Sequence, residues 1–268
     1  MMRRRSWDGL VTRVITALVL APLILGVLFA GPPYSDVFMI AVGAISAWEW
    51  ARMCRGNRWD RVVSLAAAVV AAALAAGMFG YYALAGWIIA AGSLAAVMNG
   101  SRDGQADAGW LGLGVAYVAS ACLAFIWLRN DHPEGMWLIF WLVAVIWATD
   151  VGAYFAGRTI GGPKLASAIS PNKTWAGLGG GMAAAALTGA GAAWFSGGAP
   201  WALAAASAAL AIVAQLGDLF ESSLKRRYGV KDSSGLLPGH GGMLDRVDGV
   251  LSVFLVYGAG RLVTGVSG

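Results

Sequence analysis

The amino-acid sequence predicts an all-α protein that crosses a membrane about nine times. Hydrophobic residues make up 59% of its 268 positions and charged residues only 12%, and the mean hydropathy is +0.68. Soluble domains usually carry about a quarter of charged residues. Several apolar runs approach the roughly 20 residues that a helix needs to cross a bilayer. Because a soluble core has no place for so many uninterrupted apolar segments, we exclude that class.

The apolar runs divide into nine predicted spans. The least certain division lies between the third and the fourth, which form one tract broken only around Gly77 to Tyr82. The first span follows a cluster of arginines, as a signal peptide does, but no small-residue cleavage site follows it, which predicts a retained helix. The spans are 14–31, 36–52, 62–78, 80–98, 110–128, 136–157, 174–195, 201–221 and 247–265.

The distribution of positive charge predicts a cytoplasmic N-terminus. With that orientation, 17 of the 19 lysines and arginines fall on the cytoplasmic side, and only Arg129 and Arg261 fall outside. Such a bias sets the orientation of membrane proteins, and it explains the net charge of +5 without nucleic acid. The cytoplasmic set is Arg3, Arg4, Arg5, Arg13, Arg52, Arg55, Arg58, Arg61, Arg102, Arg158, Lys164, Lys173, Lys225, Arg226, Arg227, Lys231 and Arg246.

Carboxylates are scarce, and some of them lie in or beside the apolar runs. Asp150 lies within the sixth span, where an ionisable residue is costly and is a candidate for function. An acid paired with an arginine, or one reaching the interface, would explain Asp150 equally well. At the end of the eighth span, Asp218, Glu221, Ser222 and Lys225 have helical spacing and share one face.

The window from Asp218 to Asp248 concentrates acidic, basic and glycine residues. A basic run starting at Lys225 is followed by a turn rich in glycine, and Asp245 and Asp248 lie three residues apart at the start of the last span. Mg²⁺ in proteins takes one or two carboxylates plus substrate phosphates. The window therefore predicts a site for a metal–polyphosphate complex. Taken singly, a positive cytoplasmic loop or acids in a first helical turn would explain each element.

A second polar window, residues 158–174, lies on the same predicted side of the membrane. Asn172 and Lys173 predict contact with a phosphate or a lipid headgroup, although no glycine precedes the lysine as in a P-loop. The glycines of the following segment, Gly177–Gly181, are interpreted as helix-packing positions.

These segments together resemble the phosphatidate cytidylyltransferases, also called CDP-diacylglycerol synthases. The resemblance is carried by Ser222-Ser-Leu-Lys-Arg226, then Lys231-Asp-Ser-Ser-Gly-Leu-Leu-Pro-Gly-His-Gly-Gly-Met-Leu-Asp-Arg-Val-Asp248, a run of 27 residues without a gap. Asp150–Tyr154, Ser170–Trp175 and Gly217–Ser222 also match. It implies one membrane domain over 1–268, with an N-terminal helical region, 1–130, and a catalytic region, 136–268.

The resemblance also implies a reaction and roles for residues. CTP and phosphatidate would give CDP-diacylglycerol and pyrophosphate, with Mg²⁺ held by Asp218, Asp245 and Asp248 and with a second cation left open. Lys225 would join these three aspartates as a catalytic residue, while His240 could act directly or only cap a helix. The implied substrate-binding residues are Ser222, Arg226, Lys231, Asp232, His240, Lys173, Asn172 and Asp150.

The expected partners are CTP, phosphatidate and membrane lipids, with no nucleic acid, and the glycine-rich helices and the resemblance favour a homodimer. The expected location is the inner, cytoplasmic membrane. Three other classes stay open as rivals: a transporter or channel, an enzyme acting on another lipid (an isoprenoid-lipid cytidylyltransferase or a lipid-alcohol kinase), and a scaffold without activity.

Overall fold

The computed structural model describes residues 18–103, 107–237, 239 and 241–265. Each of the nine predicted spans coincides with a helix in these ranges, and a two-stranded sheet lies between the sixth and seventh helices. Part of the span 14–31, Arg3, Arg4, Arg5, Arg13 and His240 lie outside the described residues. The helices are α1 Leu18–Ala30, α2 Tyr34–Cys54, α3 Arg61–Met78, α4 Tyr82–Arg102, α5 Ala108–Asn130, α6 Gly135–Thr159, α7 Trp175–Ser196, α8 Pro200–Arg227 and α9 Leu244–Thr264.

Seven helices of the described ranges are long and apolar enough to cross a membrane, namely all except α1 and α7. The protein is thus a multi-pass, mainly α-helical membrane protein. Crossing by all nine helices, and the side on which the N-terminus lies, stay predictions.

The polar segment after α6 folds into a β-hairpin, which the all-α prediction did not include. Strands β1 (Lys164–Ala166) and β2 (Ser170–Thr174) pair antiparallel, with Lys164 opposite Thr174 and Ala166 opposite Ser170. The Thr174 hydroxyl then accepts a hydrogen bond of 3.0 Å from the Gly177 N–H and caps the start of α7. The hairpin therefore ends at a fixed point one residue after Lys173.

The chain forms two compact units. The first contains residues up to 136 together with 228–247, and the second contains 137–227 together with 248 onward. The division into an N-terminal region, 1–130, and a catalytic region, 136–268, stays a prediction. The segment 228–247, assigned from sequence to the C-terminal region, instead packs with the N-terminal helices.

The first unit has its core among α2, α3, α4 and α5. Trp50 of α2 is buried, and its indole N–H donates to the Trp110 carbonyl at 2.8 Å. A Cβ at Gly114 of α5 would overlap the same indole ring, so this glycine allows the close packing of α2 and α5.

The second unit is built around close contacts of small residues. A Cβ at Gly152 of α6 would lie 2.6 Å from the Gly180 carbonyl oxygen of α7, and a Cβ at Gly181 would lie 3.0 Å from the Thr149 carbonyl oxygen. Backbones approach this closely only where glycine leaves the space. The interpretation as packing positions is confirmed for Gly177, Gly180 and Gly181, whereas a Cβ at Gly179 would meet no atom within 4 Å.

One ion pair outside the helices fixes the connection between α2 and α3. The Asp60 carboxylate accepts hydrogen bonds from the Val62 and Val63 N–H groups, capping α3, and pairs with the Arg55 guanidinium at 2.6 Å. Partial burial acts to raise the pKa of Asp60, but the hydrogen bonds from Arg55 and Val63 outweigh it, and the pKa lies below 3.8.

We expect Asp60→Ala to lower the free energy of unfolding by about 1–2 kcal/mol, because α3 loses its cap and Arg55 loses an acceptor. Asp60→Asn keeps a capping oxygen and should lose less. Because folding lowers this pKa, the ion-pair contribution is complete above about pH 4 and is lost as the pH falls further. Thermal unfolding in detergent between pH 3 and 7 measures both effects. Equal stability of Asp60→Ala and the wild type would contradict the capping role.

Candidate active site

Helices α8 and α9 are in close contact at Gly217, within the second unit. A Cβ at this position would overlap the Ser252 side chain and would lie 2.9 Å from the Asp248 carbonyl oxygen. The absence of a side chain at Gly217 therefore lets the two helices meet at the level of Asp218 and Asp248.

Three carboxylates converge at this contact. Asp218 and Glu221 lie three residues apart on α8, and Asp248 lies on α9; one oxygen of each is within 4.8 Å of the others. Glu221 is 2% exposed, and the two aspartates are partly buried. We call this group the acidic cluster.

Two lysines contact the acidic cluster. Lys173, at the end of the β-hairpin, places its Nζ atom 2.7 Å from Asp218 Oδ2. Lys225, one turn after Glu221 on α8, places its Nζ atom 2.6 Å from Glu221 Oε2. The hairpin and the helix thus bring one cation each to the cluster.

The cluster has the composition of a divalent-cation site. Its three carboxylates lie close enough together to offer one oxygen each to a single ion. Hard oxygen donors are the ligands that Mg²⁺ prefers. The residues present therefore fit this ion.

The structure groups the predicted metal ligands differently from the sequence. Asp218 and Asp248 come together, with Glu221 as their third neighbour. Asp245 belongs to the first unit, where its Oδ2 atom accepts hydrogen bonds from Ser233 N at 2.9 Å, Ser233 Oγ at 3.0 Å and Gly242 N at 2.8 Å. Asp245 thus organises the loop before α9, and its role as a metal ligand stays a prediction.

The loop from Lys231 to Met243, which we call the signature loop, contains a tight glycine turn. The Leu237 N–H donates to the Gly241 carbonyl at 2.8 Å, and Gly239 and Gly241 have φ angles of 76° and 83°. Such angles favour glycine because other residues are strained there.

The other predicted substrate-binding residues lie on α6, β2 and α8 and in the signature loop. Ser222 of α8 donates from its hydroxyl to Asp218 Oδ1 at 3.2 Å. The structure leaves the remaining ones exposed: Arg226 at the end of α8, Asn172 on β2, Asp150 on α6, and Lys231 and Asp232 in the signature loop.

Sequence reasoning missed Glu49. This residue lies on α2, between Trp48 and Trp50, and its side chain is fully buried. Its carboxylate accepts four hydrogen bonds from residues 233–244. The signal was present, because Glu49 is a charged residue within a predicted span, as Asp150 is.

Residues 11–260 match the model of the family described as "Cytidylyltransferase family". The chain belongs to this cytidylyltransferase family. Three curated relatives are each named phosphatidate cytidylyltransferase. The relative from Brucella suis biovar 1 is 40% identical over 91% of this chain and 90% of its own length. That from Pseudomonas aeruginosa is 37% identical over 92% and 95%, and that from Bacillus subtilis is 43% identical over 55% of each chain.

The match to the cytidylyltransferase family extends beyond the region that carried the resemblance. The segments that carry the resemblance lie between Asp150 and Asp248, whereas the family match also includes α2 and hence Glu49. The acidic cluster, the β-hairpin, the signature loop and Glu49 all lie within the matched residues.

Proposed function

We propose that this membrane protein transfers the cytidylyl group of CTP to phosphatidate, forming CDP-diacylglycerol and releasing pyrophosphate. The observation that carries the proposal is the acidic cluster, three carboxylates within 4.8 Å of one another and contacted by two lysines. The named relatives, which share this chain over most of their length, support the same donor and acceptor.

In this reaction a phosphate oxygen of phosphatidate bonds to the α-phosphorus of CTP, while the bond from that phosphorus to the bridging oxygen breaks. A phosphate monoester has its second pKa near about 6, so the attacking oxygen is ionised at neutral pH and needs no strong general base. Catalysis then depends on positioning and on neutralising charge at the phosphates.

The side chains of the cluster suit that demand. Asp218, Glu221 and Asp248 would hold Mg²⁺, which when bound supplies positive charge to the phosphate oxygens. The carboxylates of the cluster hold the ammonium groups of Lys173 and Lys225 in place. These ammonium groups can also donate hydrogen bonds to phosphate oxygens. A second cation and the roles of Asp245, His240, Lys231 and Asp232 in substrate binding stay predictions.

We further infer that the protein works in the inner membrane of a bacterial cell, with the N-terminus and the acidic cluster facing the cytoplasm, where CTP is found. The bias of lysines and arginines supports this orientation, and the named relatives are bacterial. Assembly as a homodimer stays a prediction.

The test uses purified protein in detergent with phosphatidate and CTP labelled either at the α- or at the γ-phosphorus. Cytidylyl transfer should place the α-label in a chloroform-extractable lipid and the γ-label in pyrophosphate. A lipid kinase would instead place the γ-label in the lipid, and an isoprenoid-lipid enzyme would need another acceptor. Failure of α-label to enter the lipid with phosphatidate would overturn the proposal.

We expect chelation of divalent cations by EDTA to abolish α-label transfer, because the carboxylates of the acidic cluster would then repel the phosphates of CTP. Addition of Mg²⁺ in excess of the chelator should restore it. Titration calorimetry with Mg²⁺ alone supplies a readout independent of turnover, and Asp218→Asn should weaken that binding. Full activity in EDTA would contradict a metal role for the cluster.

A further inference from the structure

We propose that Glu49 is a positioning residue for the signature loop, acting through hydrogen bonds from α2 to the loop and to the first turn of α9. This inference rests on the proposed function together with the prediction that Lys231 and Asp232 of the loop bind substrate. All of its contacts lie within the first compact unit.

Each oxygen of the Glu49 carboxylate accepts hydrogen bonds from two groups. Its Oε1 atom accepts from the Ser234 hydroxyl at 2.5 Å and from the Met243 N–H at 2.9 Å. Its Oε2 atom accepts from the Ser233 hydroxyl at 3.0 Å and from the Leu244 N–H at 2.7 Å. Each oxygen therefore holds one hydroxyl near the start of the signature loop and one backbone N–H at its end.

These contacts tie together both ends of a segment that otherwise has little regular structure. The Ser234 hydroxyl also accepts from the Leu236 N–H at 3.1 Å, which extends the hydrogen-bonded chain toward the glycine turn. The Ser233 hydroxyl lies 3.0 Å from Asp245 Oδ2 as well as from Glu49 Oε2, so its single proton is shared between the two carboxylates. Glu49 and Asp245 thus both hold Ser233.

The first turn of α9 depends on the same carboxylate. The first N–H groups of a helix have no partner within the helix, and a negative charge at that end is favourable. Glu49 satisfies the Met243 and Leu244 N–H groups in a site that excludes water, since its side chain is fully buried. The start of α9 is thereby fixed, and Asp248 follows one turn later on the same helix.

Glycine at position 242 is part of this arrangement. A Cβ there would overlap the Ser233 hydroxyl and lie 2.5 Å from Glu49 Oε1. The loop backbone therefore passes directly over the carboxylate, and no side chain larger than hydrogen fits between them.

Glu49→Gln keeps the size of the side chain but leaves one acceptor oxygen. Its NH₂ group must face one of the two hydroxyl and N–H pairs. A serine hydroxyl can rotate away from it, whereas the N–H of Met243 or Leu244 cannot. At least one buried backbone donor is then left unsatisfied, which loosens the end of the loop.

The decisive measurement is the Michaelis constant for each substrate, determined for the full chain in detergent. We expect Glu49→Gln to raise KM for CTP about tenfold, the effect of losing one buried hydrogen bond to a charged group. KM for phosphatidate should change less than about twofold by the same scale. Ser234→Ala should raise KM for CTP in the same direction, and the double variant should show less than the sum of the two effects, because the two substitutions share the contact of Ser234 with Glu49.

The matched control is Glu134→Gln, which removes an exposed acid ahead of α6 and should leave both constants unchanged. If Glu49 only stabilised the fold, Glu49→Gln would lower the folded fraction of the protein and leave both KM values at the wild-type level. That result would overturn the inference. If Glu49→Gln does not fold, the result for Ser234→Ala decides alone.

Hydrogen exchange of the backbone amides of residues 241–247 tests the role of Glu49 without requiring turnover, and so separates this inference from the proposed function. Glu49→Gln should speed exchange at Met243 and Leu244, and Glu134→Gln should not, whether or not the wild type turns over CTP. A wild type without cytidylyl transfer would refute the proposed function, whereas unchanged exchange in Glu49→Gln would refute the role of Glu49.

Discussion

Asp248→Asn is expected to reduce cytidylyl transfer by about 10²–10³-fold while leaving the protein folded, a loss comparable to removing one preorganised electrostatic contact at a reacting centre. Asparagine has nearly the same shape and can still accept the 2.7 Å hydrogen bond that the Gly249 N–H donates to Asp248 Oδ1. What it lacks is the negative charge that the acidic cluster contributes to a bound cation.

The measurement is the initial rate of α-label transfer as a function of Mg²⁺ concentration, with thermal unfolding as the test of folding. Asp218→Asn should behave in the same way, and Glu134→Gln, which lies away from the acidic cluster in sequence and is exposed, should retain the wild-type rate. Wild-type turnover by both Asp248→Asn and Asp218→Asn would show that the metal assignment is wrong.

Gly217→Ala is expected to lower both activity and stability. The added methyl group would overlap Ser252 and force α8 away from α9, and such overpacking typically costs about 1–3 kcal/mol. The displacement would separate Asp218 from Asp248, so the loss of activity should exceed what the loss of folded protein explains.

Gly191→Ala supplies the comparison, because this glycine lies within α7 and a Cβ there meets no atom within 4 Å. Alanine favours helices over glycine, so this variant should be neutral or slightly stabilised. Adding Ser252→Ala to Gly217→Ala should recover part of the stability by removing the overlapping hydroxyl. A Gly217→Ala variant with wild-type activity and unfolding temperature would contradict the close contact of the two helices.

The existence of the helices was predictable because long apolar runs have few other structures in a membrane. Their ends were less so. The predicted eighth span stops at residue 221, where the apolar run ends, but α8 continues to Arg227 because lysine and arginine are good helix formers. The β-hairpin was missed because β2 consists of Ser170, Pro171, Asn172, Lys173 and Thr174, which show no alternation of apolar and polar residues.

The acidic cluster was predictable in part. Helical spacing correctly placed Asp218 and Glu221 on one face, whereas the choice of partner from α9 depended on tertiary contacts that spacing does not contain. The contact of Lys173 with Asp218 depends on the β-hairpin and likewise could not be predicted from the sequence. Glu49 could be singled out as a charged residue in an apolar run, but its partners in the signature loop could not.

The pairing of Glu49 with the signature loop has a consequence for the order of synthesis. Glu49 and Leu244 are separated by 195 positions in the chain. At typical elongation rates of 5–20 residues per second, roughly 10–40 s pass between their emergence from the ribosome. During that interval α2 carries a carboxylate whose loop partners do not yet exist, and a chain shortened before residue 233 never acquires them. Glu49 of α2 thus completes its hydrogen bonds only when the last helix begins to form, and only a chain that reaches Leu244 contains all the partners of this buried acid.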